Sequence, residues 1–160
     1  MMFRGKICRI LTSDRVRKGE KEDLTLQYLE KLSEKLGLPY ETIIVGNSLI
    51  EIRDTVAKSL LTDCKVVIVT GGTGPSSRDI SVEAVKPFAE KEILGLGELH
   101  RLLSYNEGVK TSWLSRTTGY IHGKKLVIVM PGNPDAFRLL VEKMSELLTH
   151  ILEQLEKGKH

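Results

Sequence analysis

The 160 residues carry 28% charged and 41% hydrophobic side chains, which is typical of a globular protein and enough for one domain, residues 1–160, with a sizeable core. The net charge is only +3, the basic residues are scattered and 5% of the residues are aromatic, so the composition argues against nucleic-acid binding. No apolar run reaches the roughly 20 residues of a membrane span, and the first residues lack the apolar core of a signal peptide. We therefore predict a cytoplasmic protein that makes no contact with membranes.

The two cysteines, Cys8 and Cys64, lie within or beside apolar segments. We interpret them as small core residues rather than metal ligands or a disulfide, in agreement with a reducing cytoplasm. Asparagine and glutamine are scarce, with three and two residues. This scarcity is typical of proteins from hot environments.

Short apolar strands alternate with amphipathic helices in the first half of the chain. Residues 6–11, 40–45 and 65–69 are predicted strands, and helical periodicity runs through residues 24–36 and 52–61. Such alternation requires crossover connections between the strands. The pattern therefore predicts an α/β fold with a largely parallel sheet.

The second half is less regular until its end. A helix is predicted to start at Ser81 as its N-cap, and the stretch 92–119 contains a short strand or turn and then a helix. Residues 114–121 are interpreted as an edge strand, and 125–130 as a buried strand. Asn133 as N-cap and Pro134 at the first helical position then begin a last helix that continues to about residue 156.

Glycines interrupt the chain directly after the strand at 65–69. Three glycines within 71–74 free the backbone for a sharp turn, and N–H groups of such a loop ahead of a helix can bind phosphate. Arg78 adds a cation, and Asp79 adds a carboxylate that could hold Mg²⁺. An ordinary glycine turn is the alternative interpretation. The loop lacks both the Gly-Lys-Ser/Thr of a P-loop and the third glycine of a dinucleotide fingerprint.

Three unusual loops follow predicted parallel strands. We name them the first loop (residues 12–23), the glycine loop (71–79) and the proline turn (131–135). In an open parallel sheet, the ligand crevice lies at the carboxyl ends of the strands. The three loops therefore predict one binding site at that edge.

Five short motifs in this order resemble the molybdopterin adenylyltransferase family of molybdenum-cofactor biosynthesis. They cover most of the chain from Ser13 onward and are Ser13-Asp14-Arg15 with Gly19-Glu20 and Glu22-Asp23; Thr70-Gly71-Gly72-Thr73-Gly74 with Arg78-Asp79; Gly97-Glu98 with Leu103-Ser104-Tyr105; Leu114-Ser115-Arg116 with Gly119; and Pro131-Gly132-Asn133-Pro134.

The resemblance implies a three-layer α/β/α sandwich with a mostly parallel sheet, assembled as a homotrimer or as a homohexamer of two trimers. It also implies a reaction in which AMP passes from ATP, with Mg²⁺, to the terminal phosphate of molybdopterin, and pyrophosphate is released. A downstream metal-insertion protein is a further partner that the resemblance suggests.

The same resemblance assigns roles to individual residues. Asp79, as Mg²⁺ ligand, and Arg78 are the expected catalytic residues. The expected nucleotide- or phosphate-binding residues are Ser13, Asp14, Gly71, Gly72, Thr73 and Gly74, and the expected molybdopterin-binding residues are Ser104, Ser115, Arg116, Pro131, Gly132, Asn133 and Pro134.

Two departures from the family pattern leave alternatives open. Leu24-Thr25 stands where many members have Ser-Gly, and Asn47 stands where many carry an acid that takes part in activity. Asn47 brings no charge to Mg²⁺. A protein of the same fold that binds or delivers molybdopterin without turnover is therefore the second hypothesis, and a purely structural trimer, which would leave Arg78, Asp79 and Arg116 unexplained, is the third.

Overall fold

The computed structural model describes residues 3–158, which form a six-stranded sheet with helices packed on both faces. The strands are β1 (Lys6–Thr12), β2 (Tyr40–Val45), β3 (Cys64–Thr70), β4 (Lys91–Ile93), β5 (Thr118–His122) and β6 (Lys125–Met130). The α-helices are α1 (Asp14–Arg17), α2 (Leu26–Leu36), α3 (Leu49–Leu60), α4 (Ser81–Val85), α5 (Leu94–Asn106) and α6 (Pro134–Lys157). Two single 3₁₀ turns lie at Lys86–Phe88 and Ser112–Leu114.

The strand order is β2-β1-β3-β6-β5-β4. The four neighbouring strands β2, β1, β3 and β6 are parallel, and β5 runs antiparallel to both β6 and β4. The prediction of a mostly parallel sheet is therefore confirmed. The prediction of an edge strand at 114–121 is wrong. β5 lies between two strands, because the three-residue β4 pairs with its outer side and becomes the edge itself.

The sheet separates two hydrophobic cores. Every residue of β3 is buried, and its side chains alternate between the faces. Val66 and Ile68 belong to the core formed with α2, α5 and α6, whereas Val67 and Val69 belong to the core formed with α3 and α4. This arrangement confirms the three-layer α/β/α sandwich.

The cysteines are core residues, but the prediction that they are not bonded to each other is wrong. Cys8 on β1 and Cys64 on β3 are both buried and form a disulfide. They are 56 residues apart in sequence, yet neighbouring parallel strands bring their Cα atoms to 5.7 Å, within the range that a disulfide can span. Because the sulfurs are bonded to each other, they are not free to bind a metal together with the nearby Glu41 carboxylate.

The longest helix, α6, begins as the sequence predicts. The Asn133 side chain accepts a hydrogen bond from the Ala136 N–H at 2.8 Å, and Pro134 is the first helical residue. Most of the buried residues of the helix, from Ala136 to Leu152, belong to the core that the sheet forms with α2, α5 and α6. Among the helices of residues 3–158, none is long and apolar enough to cross a membrane.

Candidate functional site

The three loops leave the carboxyl ends of the adjacent parallel strands β1, β3 and β6, as the sequence predicts. The backbone of the glycine loop is anchored at its start, where the Gly71 N–H donates to the Met130 carbonyl at 2.9 Å. It is anchored again where the Ser81 N–H donates to the Gly72 carbonyl at 3.1 Å. The loop thus lies between β1 and β6 and begins where the two neighbouring loops begin.

Two positions of this loop admit only glycine. Gly71 and Gly72 have φ values of +103° and +70°, which side chains on L-residues rarely adopt. A Cβ on Gly71 would lie 2.6 Å from Thr12 Oγ1, and a Cβ on Gly72 would lie 2.5 Å from Ser81 Oγ. The close approach of β1 and α4 therefore determines the shape of the loop.

Asp79 closes the glycine loop on itself. Its Oδ2 accepts hydrogen bonds from the Ser76 N–H at 3.0 Å and from the Ser76 hydroxyl at 2.8 Å. The Ser76 hydroxyl is the main reason why the pKa of Asp79 lies below its usual value, so this carboxylate is ionised at neutral pH. The helix cap is a different residue, Ile80, and Ser81 is the first residue of α4 rather than its N-cap, contrary to the prediction.

Arg116 holds the glycine loop from the other side. Its guanidinium donates to the Gly74 carbonyl at 3.0 Å and to the Asp79 carbonyl at 2.9 Å, and it pairs with Glu83 on α4. The backbone N–H of Arg116 also donates to the carbonyl of the buried residue Thr73 at 2.8 Å. The guanidinium that the family resemblance assigns to molybdopterin is thus bonded to the loop and to a carboxylate, whose pKa it lowers.

Asn47 connects the first loop to the glycine loop. Its N–H donates to Asp14 Oδ1 at 3.1 Å, and its side-chain amide donates to the Arg78 carbonyl at 3.0 Å. The Arg78 side chain is 79% exposed, with its guanidinium 3.9 Å from Asp14 Oδ2. Arg78 therefore presents a cation that a ligand can reach. On the first loop, Ser13 is the N-cap of α1 and accepts a hydrogen bond from the Val16 N–H at 3.2 Å.

A cavity of about 260 Å³ lies between the first loop and the proline turn. It brings together predicted nucleotide-binding and molybdopterin-binding residues. Its lining residues are Leu11, Thr12, Ser13, Val16, Lys21, Glu22, Asp23, Leu24, Thr25, Thr70, Gly71, Gly132, Asn133 and Pro134. We call it the first cavity.

A second cavity, of about 230 Å³, lies on the other side of the proline turn. Its lining includes Ser104, Ser115, Pro131 and Asn133, all of which are predicted molybdopterin-binding residues. Asn133 lines both cavities. The predicted site residues that line one or both of these cavities are Ser13, Gly71, Ser104, Ser115, Pro131, Gly132, Asn133 and Pro134. The others line neither cavity: Gly72, Thr73, Gly74, Arg78 and Asp79 lie in the glycine loop, Asp14 lies in α1, and Arg116 is bonded to the loop.

The sequence interpretation assigned no role in the site to two buried polar residues beside these cavities. Arg9 on β1 is fully buried and forms an ion pair with Asp23, a residue that lines the first cavity. His100 on α5 is buried beside the second cavity, where one ring nitrogen is 2.8 Å from the Ala136 carbonyl and burial lowers the pKa of the ring. An arginine within an apolar strand was the one available signal, since a buried cation requires a partner.

Comparison with known proteins identifies the family of the chain. A family model described as a probable molybdopterin binding domain matches residues 8–150. The chain belongs to this family of molybdenum-cofactor biosynthesis proteins.

Two relatives of the molybdopterin-binding domain family are similar over most of their length. Molybdenum cofactor biosynthesis protein B of Staphylococcus carnosus is 35% identical over 155 residues, 94% of this chain and 91% of the relative. Molybdopterin adenylyltransferase of Helicobacter pylori is 38% identical over 149 residues, 88% of this chain and 82% of the relative. Both names used by the family thus occur among proteins of comparable similarity to this chain.

A solved structure of the same family shares the fold. The tungsten cofactor synthesizing protein MoaB of Pyrococcus furiosus has a TM-score of 0.82 and 33% identity, covering 94% of this chain and 96% of that chain. Sequence and fold therefore both support membership of the molybdopterin-binding domain family.

Proposed function

We propose that this protein transfers AMP from ATP, with Mg²⁺, to the terminal phosphate of molybdopterin, giving adenylyl-molybdopterin and pyrophosphate. The observation that carries the proposal is the position of the glycine loop, whose shape requires glycine at Gly71 and Gly72 and whose Gly71 lines the first cavity. The first cavity shares Asn133 with the second cavity. A glycine loop of this kind at one of two adjoining cavities suits a reaction between two phosphorylated substrates. The name of the Helicobacter pylori relative supports the same assignment.

In this reaction, an oxygen of the molybdopterin phosphate attacks the α-phosphorus of ATP. The bond from that phosphorus to the bridging oxygen breaks, and pyrophosphate leaves with the electron pair. Both reactants are anions, so the protein must supply N–H donors and cations rather than a nucleophilic side chain. The backbone of the glycine loop and the exposed guanidinium of Arg78 supply these groups.

The chain also fits the metal that the reaction requires. Mg²⁺ is usually held by one or two carboxylates together with substrate phosphates and water, and it neutralises charge on the triphosphate. Asp79 offers an ionised carboxylate in the glycine loop, and its Oδ2 accepts both hydrogen bonds from Ser76. The second oxygen, Oδ1, can thus coordinate a cation.

The two cavities divide the substrates between them in this proposal. ATP phosphates would meet Gly71 and Ser13 in the first cavity, and the pterin would meet Ser104 and Ser115 in the second cavity. Asn133 lines both, so the proline turn would lie where the phosphates of the two substrates come together. Arg116 would act by holding the glycine loop in shape rather than by direct contact with the pterin.

The decisive experiment is incubation of the protein with molybdopterin, ATP and Mg²⁺, followed by mass analysis. Formation of adenylyl-molybdopterin and an equal amount of pyrophosphate is expected. Omission of Mg²⁺ should abolish both products. Hydrolysis of ATP to AMP without the adenylylated pterin would contradict the proposal.

A second candidate function follows from Asn47. Its backbone N–H donates to Asp14 and its side-chain amide donates to the Arg78 carbonyl, at the position where many family members carry an acid. A protein without that acid could bind and deliver molybdopterin without turnover. Tight binding of molybdopterin with no adenylylated product would favour this candidate over the enzyme.

We also propose that the protein assembles as a homotrimer. Trp113 is 71% exposed and is thus not a core residue, and exposed Leu94 and Leu102 lie nearby in sequence on α5. Leu94 and Trp113 also line the same surface pocket, and exposed apolar side chains that lie together, rather than singly, mark interaction sites. Sedimentation equilibrium should give three times the mass of the chain, or six times if trimers pair. A monomer at micromolar concentration would contradict this prediction.

A further inference from the structure

Arg9 is the largest fully buried side chain of the protein. Its guanidinium lies behind the wall of the first cavity, where it pairs with the Asp23 carboxylate and donates to the Thr25 hydroxyl. Asp23 and Thr25 both line the cavity, whereas Arg9 does not. Removing a cation from water is costly, so a buried guanidinium requires a partner that compensates its charge.

The contacts of Asp23 identify that role. One carboxylate oxygen faces Arg9, and the other accepts hydrogen bonds from the Thr25 N–H at 3.0 Å and the Thr25 hydroxyl at 2.6 Å. The side chain of Asp23 is only 12% exposed. Its charge therefore has little solvent to screen it and is compensated chiefly by Arg9.

We propose that Arg9 is a positioning residue that neutralises Asp23 and thereby makes the first cavity able to accept an anion. The inference rests on the proposed function, in which ATP phosphates occupy this cavity. Without Arg9, the wall of the cavity would carry a poorly screened negative charge close to the phosphates. Arg9 thus acts on ligand choice by cancelling the charge of Asp23, and not by direct contact with the ligand.

The net charge of the pair can be changed in both directions. Asp23→Asn leaves a net charge of +1, Arg9→Met leaves −1, and the double variant Arg9→Met/Asp23→Asn restores zero with neutral side chains. Replacement of a buried ion pair by neutral residues is often tolerated, so the double variant is expected to fold. Circular dichroism and thermal melting identify the variants that are folded.

Titration calorimetry of the full chain with Mg-ATP, and with adenosine as an uncharged probe, tests the proposal. Mg-ATP affinity should fall about tenfold in Arg9→Met, stay within about threefold of the wild type in the double variant, and not fall in Asp23→Asn. Adenosine affinity should be the same in all folded variants. A merely structural role would weaken both ligands in the double variant as much as in Arg9→Met.

If Arg9→Met does not fold, the comparison of Asp23→Asn with the double variant still decides the matter. These two differ by one positive charge behind the cavity wall, and Asp23→Asn should bind Mg-ATP at least as tightly. Equal loss of Mg-ATP affinity in the double variant and in Asp23→Asn would overturn the inference and leave the proposed function intact. A wild-type protein that binds no Mg-ATP would overturn both.

Discussion

The two ends of the parallel strands differ in what they carry. The carboxyl ends of β1, β3 and β6 are followed by loops with glycines at positive φ and by two cavities. The amino ends carry a disulfide and an ion pair. The disulfide joins Cys8 and Cys64, and the buried ammonium group of Lys65 pairs with Glu156 at the end of α6. The same strands thus carry the candidate site at one end and stabilising cross-links at the other. Changes at the two ends should therefore have separable effects.

The largest effect on activity is expected for Asp79→Asn. The substitution keeps size and one acceptor oxygen but removes the charge that would hold Mg²⁺, so adenylylation should fall by about 100-fold or more. Thermal stability should change by only a few °C, because Asp79 is partly exposed and Ile80, not Asp79, caps α4. Product formation by mass analysis and a thermal melt measure the two quantities.

Asp54→Asn is a matched control for Asp79→Asn. Asp54 is an exposed acid on α3 that pairs with Lys58, away from both cavities. It should leave adenylylation unchanged. An Asp79→Asn protein that melted much earlier but turned over normally per folded molecule would assign Asp79 to the stability of the loop instead.

An intermediate effect is expected for Gly72→Ala. A methyl group at φ +70° would lie 2.5 Å from Ser81 Oγ, so the loop must change shape, and Mg-ATP affinity should fall about tenfold while the protein remains folded. Gly123→Ala controls for the backbone strain alone. Gly123 has φ +60° with open space around it, on the turn between β5 and β6. Equal Mg-ATP affinities in the two variants would mean that the loop is only a turn.

The smallest effect on activity is expected at the opposite end, for Cys8→Ala/Cys64→Ala. Loss of a cross-link that closes 56 residues should lower the free energy of unfolding by about 4 kcal/mol, since the unfolded chain regains conformational freedom. Adenylylation per folded molecule should stay at the wild-type level. Urea unfolding measures the first quantity and product formation the second. A large loss of adenylylation in a folded variant would show that the two ends are not independent.

The elements that local chemistry determines could be predicted from the sequence. The run of β-branched residues at 66–69 indicated the central buried strand, and Asn133-Pro134 indicated the start of α6. The convergence of the three loops followed from strand alternation alone, because parallel strands end at one edge. These parts of the fold depend on residues close together in sequence.

The remaining features depend on which strands become neighbours. The Cys8–Cys64 disulfide requires that β1 lie beside β3, and the interior position of β5 requires the pairing of a three-residue strand. The bonds of Arg116 to the glycine loop likewise join residues that are 37 to 43 positions apart.

The same bonds of Arg116 have a consequence for the order of folding. β3 and the glycine loop leave the ribosome well before the segment that carries Arg116. β6 is synthesised later still, and its Met130 carbonyl accepts the hydrogen bond from the Gly71 N–H. Contacts between distant residues form only after the entropy of closing the intervening chain has been overcome. The glycine loop therefore reaches its final shape only when β6 has been synthesised and added to the sheet. If the loop binds nucleotide as proposed, a nascent chain that ends before β6 should have no affinity for nucleotide, so nucleotide binding reports that β6 has joined the sheet.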